Sequence, residues 1–219
     1  MRELFHVGRD SLERFLSRWY GPADRQPAAT AVDGTPRPLR DWFELTARWS
    51  APVVTQNHVL SQPWIDDGKL VFWEENQGVW LWATAPDGDD PPVYDRENVD
   101  GDSWQPTGES LSTFLLHVAV FEAIMGASHG ACASWVSAAA LAEILAPLRP
   151  LPMPEWRWPA PGHRLHAADG LLAFSGPNPG PGEVAETAAT HEVWLAADEP
   201  GRLAYLTEPA DVEWDSFDA

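Results

Sequence analysis

The chain has little of what several common classes of protein require. Its single cysteine, Cys132, has no second cysteine with which to form an internal disulfide bond, and Lys69 is its only lysine. Lysine and arginine together number 14 against 33 aspartate and glutamate residues, which gives a formal net charge of −19. A nucleic-acid-binding protein needs cations that face the phosphates, and an anionic membrane surface would repel this chain. We therefore expect no nucleic-acid partner and no membrane partner.

Long apolar segments are also missing. The most apolar stretch, residues 114–148, is interrupted by His117, Glu122 and Glu143. It therefore lacks the uncharged run of about 20 residues that a membrane span needs. The residues after Met1 contain no apolar segment of the length that a signal peptide needs. Together with the lone cysteine, which suits a reducing compartment, these features predict a cytoplasmic protein.

Signals of catalysis and of cofactor binding are sparse. No Gly-x-Gly-x-x-Gly or Gly-Lys-Ser/Thr sequence is present, and His163 and His166 supply only two of the ligands that a metal needs, so we interpret them as solvated. Cys132, with His129 nearby at the start of a predicted helix, is the one candidate nucleophile. A lone cysteine is more often a small buried hydrophobe. We predict no catalytic residue, no metal and no cofactor, and keep an enzyme that uses Cys132 as a third alternative.

Tryptophan is abundant, with 13 residues, most of which we expect in the core. Helix signals precede a hairpin, and further helices and strands follow, an order that favours an α+β fold over an alternating βαβ fold. We predict one domain, 1–219, with a proline-rich extension from about residue 147. The periodicity predicts helices at 10–20, 38–49, 110–125 and 132–145, and strands at 69–74, 79–85, 92–94, 165–174, 191–196 and 202–207.

The hairpin is the clearest of these elements. Two segments rich in β-branched and aromatic residues, 69–74 and 79–85, flank the sequence Glu75-Asn76-Gln77-Gly78, in which Asn76 and Gly78 suit a positive φ. Both faces of the first segment carry apolar side chains, which is typical of strands covered on both sides. We therefore expect inner strands here.

The hairpin and the residues after it resemble the SUKH superfamily, which includes the fungal SMI/KNR cell-wall-synthesis regulators and many bacterial immunity proteins. The similarity covers about residues 64–125, and its motifs are VFWEENQGVWLWA (71–83), DDPPVYD (89–95), Trp104 and SLSTFLLHVAVFEA (110–123). The resemblance implies a mainly antiparallel sheet with a central hairpin packed against several helices, and no enzymatic activity. It also implies, for the bacterial members, neutralisation of toxins, often nucleases, by direct binding.

Charge and resemblance together predict a non-enzymatic protein-binding module, an immunity protein that neutralises a basic toxin. The alternative is a housekeeping adaptor or regulator of the SMI/KNR type with an endogenous partner. Residues 87–109 hold eight acidic residues against Arg96, and a basic partner would be attracted to them at long range. The predicted partner-binding residues are Glu75, Asn76, Gln77, Trp80, Asp89, Asp90 and Tyr94.

Overall fold

The residues described by a computed structural model form an α+β fold with two antiparallel sheets, one of five and one of six strands. This confirms the fold class and the mainly antiparallel sheet predicted from the sequence. In that part of the chain no helix is both long enough and apolar enough to cross a membrane. The described residues are 1–26, 34–178, 180, 190–207 and 212–218.

The chain divides into two compact units. The N-terminal unit is His6–Glu122, and the C-terminal unit is Met1–Phe5 together with Ala123–Ala219. The prediction of one domain with an extension from about residue 147 stays a prediction. Each unit contains one of the two sheets.

Five helices, a 3-10 helix and eleven strands are described. The helices are α1 (Arg2–Phe5), α2 (Ser11–Trp19), α3 (Arg37–Thr46), α4 (Leu111–Met125) and α5 (Ala138–Ile144), and the 3-10 helix is Ala204–Thr207. The strands are β1 (His58–Asp66), β2 (Lys69–Glu74), β3 (Trp80–Thr84), β4 (Pro92–Glu97), β5 (Gln105–Ser110), β6 (His129–Ser137), β7 (Arg149–Pro150), β8 (Arg164–Ala168), β9 (Leu171–Pro177), β10 (Thr190–Ala197) and β11 (Ser216–Asp218).

The core of the N-terminal unit is aromatic. The rings of Phe72 and Phe114 meet edge to face at 5.5 Å, and those of Trp42 and Trp73 do so at 5.7 Å. Trp82 lies 6.1 Å from Phe114, so one phenylalanine of α4 contacts side chains of both hairpin strands. All five side chains are almost fully buried. Edge-to-face pairs add to the free energy gained by burying such large side chains, so this cluster fixes α3 and α4 against the sheet.

Strands β2 and β3 form the predicted hairpin in the interior of the sheet, whose order is β1-β2-β3-β4-β5. Gly78 takes the positive φ of the turn, at 72°, and Asn76 does not. Strand β1, which no pattern in the sequence predicts, pairs with β2 on the side away from β3. It contains Pro63 and an irregular register between Val59 and Trp64, features tolerated at a sheet edge but not in an inner strand.

A buried carboxylate ties α4 to the segment that leads into β1. Glu122 accepts backbone N–H bonds from Thr55 at 2.7 Å, Gln56 at 2.6 Å and Asn57 at 3.1 Å. Loss of solvent nevertheless outweighs these bonds and raises the pKa of Glu122. Burial, together with the charge of Glu122, also raises the pKa of Tyr20.

The C-terminal unit contains the six-stranded sheet, in the order β11-β6-β10-β9-β8-β7. The prediction of a helix over 132–145 is wrong for its first half, because residues 129–137 form β6, paired with β10 and β11. Only Ala138–Ile144 is helical, and the Ser137 side chain caps it by accepting the N–H of Ala140. Apolar residues of α5 and of the 3-10 helix pack on one face of this sheet.

Two other predictions need correction. The segment 202–207 is not a strand: residues 204–207 form the 3-10 helix, with Leu203 and Leu206 buried at a spacing of three. The segment 165–174 is two antiparallel strands rather than one, joined by a turn in which Gly170 has a φ of 73°. In both places short apolar segments suit either interpretation, and packing against the rest of the unit selects one of them.

Candidate partner-binding surfaces

Two turns lie side by side at one end of the five-stranded sheet. We call residues 76–79 and 97–102 the hairpin-end surface. The backbone N–H of Asn98 bonds to the carbonyl of Val79 at 2.8 Å, and the Asn98 side chain bonds to the carbonyl of Gly78 at 2.8 Å. Val79 is 52% exposed and Val99 54% exposed. Each of the two hydrogen-bonded turns therefore exposes one valine.

The second of these turns is rich in acidic residues. Glu97, Asp100 and Asp102 are exposed, and neither segment of the hairpin-end surface contains a lysine or an arginine. The carboxylate of Asp102 accepts the N–H of Glu97 at 3.0 Å, which holds the second turn closed. The adjacent Arg96 side chain donates hydrogen bonds to the carbonyls of Glu97 and Val99 and so stabilises the same turn. The surface is acidic and its backbone is well fixed.

The predicted hairpin residues take different positions. Asn76 and Gln77 are exposed on the hairpin-end surface, whereas Trp80 is half-buried and pairs with Glu97 across the sheet. Glu75 is only 4% exposed. Its carboxylate accepts the N–H of Gln77 at 2.9 Å and that of Val79 at 3.4 Å, so it shapes the turn instead of facing a partner.

The other predicted contacts lie elsewhere on the unit. Asp89 and Asp90 are exposed in the β3–β4 loop, which lies at the opposite end of β3 from the hairpin turn, about 17 Å away. Tyr94 lies on β4 with the Lys69 ammonium 4.2 Å from its ring centre. The structure thus brings the four hairpin residues together and separates them from Asp89, Asp90 and Tyr94.

Neither Val79 nor Val99 is among the residues predicted from the sequence. The signal that could find Val99 is a valine that stands alone in the acidic segment ENVDGD, residues 97–102. An apolar side chain in such a segment has no helical or strand periodicity that would carry it into a core. Because it remains exposed, Val99 is a candidate contact for a partner.

Asp89 and Asp90 border a groove of about 810 Å³ in the N-terminal unit. Residues of α2, of α3 and of the first two turns of α4 line it. Its apolar lining includes Val7, Leu12, Trp42, Leu45, Leu115 and Leu116. Clefts of this volume commonly accept ligands or side chains of a partner.

The residues considered for catalysis and metal binding lie in the C-terminal unit. Cys132 lies within β6, and its Sγ atom is 3.3 Å from the Ser216 hydroxyl, so the helix N-terminus that would activate it is not there. His163 is fully buried, which corrects its interpretation as solvated, and its Nε2 atom lies 2.8 Å from Glu192. His166 is half-buried, and burial lowers its pKa. Across the described ranges no three His, Cys, Asp or Glu side chains form a group suited to a metal ion.

Comparison with known proteins gives no relative. No family model matches the chain, no curated protein matches it, and no solved structure matches it.

Proposed function

We propose that this protein is a non-enzymatic module that binds a basic protein partner, and that it acts in the cytoplasm as a SUKH-type immunity protein against a toxin. The observation that carries the proposal is the hairpin-end surface, where Val79 and Val99 are half exposed within a rim of carboxylates. The groove bordered by Asp89 and Asp90 is a second surface of mixed apolar and acidic character.

The hairpin-end surface has the composition of a binding surface. Protein interfaces have apolar centres that become fully buried and polar rims that stay hydrated. Two valines supply such a centre, and Glu97, Asp100 and Asp102 supply the rim. The turn is held by the buried carboxylate of Glu75, so little order would have to be imposed when a partner binds.

The charge of the whole chain supports a basic partner. A net charge of −19 attracts cationic proteins at long range and raises their association rate at low ionic strength. A toxin that cleaves nucleic acid needs a basic substrate groove, because phosphates are bound by lysine and arginine. An acidic protein that covers this groove would exclude the substrate without performing any chemistry. The resemblance to the SUKH superfamily over about residues 64–125 points to the same activity.

The proposal is tested by expressing the chain in bacterial cells with the product of each gene that flanks its own. A toxic product whose effect is relieved by coexpression, and which binds the purified chain, supports immunity. A flanking product that binds but is not toxic supports the adaptor alternative. The absence of both toxicity and binding overturns the immunity proposal.

A pair of matched variants tests the surface. Val99→Lys removes an apolar side chain from the hairpin-end surface and adds a cation, so rescue should be lost and the affinity should fall at least about tenfold. Ile65→Lys makes the same change at a residue that is 58% exposed on β1, outside this surface. Ile65→Lys should leave both the rescue of cells and the affinity for the partner unchanged. Equal effects of the two variants would remove the hairpin-end surface from the proposal.

A further inference from the structure

We infer that the groove between α2, α3 and the start of α4 holds a short amphipathic helix that carries lysine or arginine side chains. This inference rests on the proposed function in one respect, namely that the occupant is a segment of a protein. The hairpin-end surface lies on a separate part of the unit, and the proposal made for it does not say what the groove binds.

The groove has apolar walls around a buried centre. Trp42, Leu115 and Leu116, which line the groove, are almost fully buried. Leu12 and Leu45 are half-buried, and Val7 at its border is 42% exposed. An apolar side chain that entered here would lose its contact with water, which favours binding.

The charges around this apolar lining favour a cation. Arg37 and Arg48 are ion-paired with Asp41 and Glu13 respectively, and they are thereby neutralised within the groove. Asp90 is engaged with Ser112 through hydrogen bonds that leave its negative charge in place.

Two further carboxylates, Glu44 and Asp89, are exposed at the groove without a described ion pair. The exposed cation Arg9 also lines the groove. The acidic residues therefore exceed what the arginines compensate, and a cationic occupant complements the rim.

The dimensions fit a helix of a few turns. Helix α2 has nine residues and α3 has ten, so each is about 13–15 Å long. An apolar groove bordered by helices accepts a helix whose apolar residues recur at spacings of three and four. About three turns would place three such anchors over the lining and leave lysines or arginines within reach of Glu44 and Asp89. A second copy of this chain fits poorly, because both copies carry a charge of −19.

The test uses a synthetic helical peptide of about 15 residues, the length at which an isolated helix begins to be stable. Its leucines follow the three-and-four spacing, its lysines cover the opposite face, and a fluorescent label reports binding by anisotropy. A peptide of the same composition in scrambled order, without an amphipathic face, is the control for attraction by net charge alone. The amphipathic peptide should bind at least about tenfold more tightly than the scrambled one.

Matched charge reversals locate the binding site. The double variant Glu44→Lys with Asp89→Lys should weaken binding of the amphipathic peptide about tenfold. The double variant Glu143→Lys with Glu213→Lys changes the net charge equally at two exposed residues of the C-terminal unit. It should weaken binding less than twofold. Val7→Ser, which removes an exposed apolar side chain without opening a core, should weaken binding by a few-fold.

The possible outcomes separate this inference from the proposed function. Equal binding of the two peptides, or equal loss in the two double variants, would overturn the groove as a docking site. Rescue by the wild-type chain in the coexpression experiment would then still support the proposed function. Specific binding of the peptide in the groove, together with no bound or toxic flanking product, would retain the groove and reject immunity.

Discussion

The carboxylate of Asp90 caps helix α4 from a loop that lies 22 residues earlier in the chain. It accepts the backbone N–H of Ser112 at 2.8 Å and the Ser112 hydroxyl at 2.7 Å. A negative side chain at this position also interacts favourably with the positive end of the helix dipole. Asp89, its neighbour, is exposed and has no described bond of this kind. Asp90 thus caps the helix, whereas no capping bond is described for the adjacent Asp89.

We predict that Asp90→Ala lowers the free energy of unfolding by about 1 kcal/mol, because the first turn of α4 loses its cap. Asp89→Ala is the matched control and should change stability by less than about 0.5 kcal/mol. Urea unfolding followed by tryptophan fluorescence measures both. A value for Asp90→Ala within the error of the control would mean that the cap does not stabilise the helix.

The buried carboxylate of Glu75 should matter for stability more than its exposed neighbours do. We predict that Glu75→Ala costs about 1–3 kcal/mol, since the N–H groups of Gln77 and Val79 lose their acceptor. Asn76→Ala, at an exposed position of the same turn, should cost much less. Thermal unfolding of the two variants compares them, and equal melting temperatures would contradict the assignment of Glu75 to the turn.

Glu122 should make an unusual contribution to the pH dependence of stability. Its pKa is raised by burial, so the folded state binds a proton more tightly at this carboxylate than the unfolded state does. Its contribution to stability is therefore fully present below the unfolded pKa and is lost as the pH rises through the folded pKa. Most paired carboxylates contribute in the opposite direction.

Comparison with Glu122→Gln isolates this contribution, because the other titrating groups are common to both proteins. The free energy of unfolding of the wild type minus that of the variant should be largest at and below the ordinary carboxyl pKa and should decline as the pH rises above it. Urea unfolding at several pH values measures the difference. A difference that grows as the pH rises would show that the N–H bonds from residues 55–57 dominate over desolvation.

The contact between Gly176 and His163 predicts a strict requirement for glycine. A Cβ atom at position 176 would lie 2.6 Å from the Nδ1 atom of His163. That ring is stacked on Phe174 with 5.0 Å between centres, and its Nε2 atom lies 2.8 Å from Glu192, so it has little room to move. We expect Gly176→Ala to cost about 1–3 kcal/mol.

The matched control is Gly8→Ala, where nothing lies within 4 Å of the added atom. Its φ lies outside the left-handed region, so the substitution should change the free energy of unfolding little. Chemical unfolding of both variants measures the difference. Equal stabilities would mean that the sheet around Gly176 opens easily enough to accept a side chain.

Local patterns predict the N-terminal unit better than the C-terminal unit. The long apolar stretch of α4 and the aromatic, β-branched strands β2 and β3 are strong signals within short windows, and the structure confirms these elements. Strand β1 has a weak signal because it contains Pro63 and polar residues, and it is held in the sheet by pairing with β2. A local sequence pattern cannot reveal a strand that is stabilised by pairing with a neighbouring strand and not by its own residue preferences.

The hairpin-end surface, too, can be predicted from the sequence only in part. A turn rich in Glu, Asn and Gly is visible in the sequence, and Asn76 and Gln77 are indeed exposed there. The burial of Glu75 beneath the turn and the exposure of Val99 beside it depend on how two turns meet. The separation of Asp89 from the hairpin turn likewise depends on the direction of β3.

The sequence by itself determined the α+β class, the central hairpin, the long apolar helix and a strongly acidic surface, because each follows from composition or from short-range periodicity. Tertiary structure decided that residues 129–137 form a strand. Their alanines and serines suit a helix locally, but β10 pairs with them from some 60 residues further along the chain. Gly130 allows close approach there, since a Cβ atom at that position would lie 3.0 Å from the carbonyl of Leu195. Backbone pairing and burial over that distance outweigh a helix preference of a few tenths of a kcal/mol per residue.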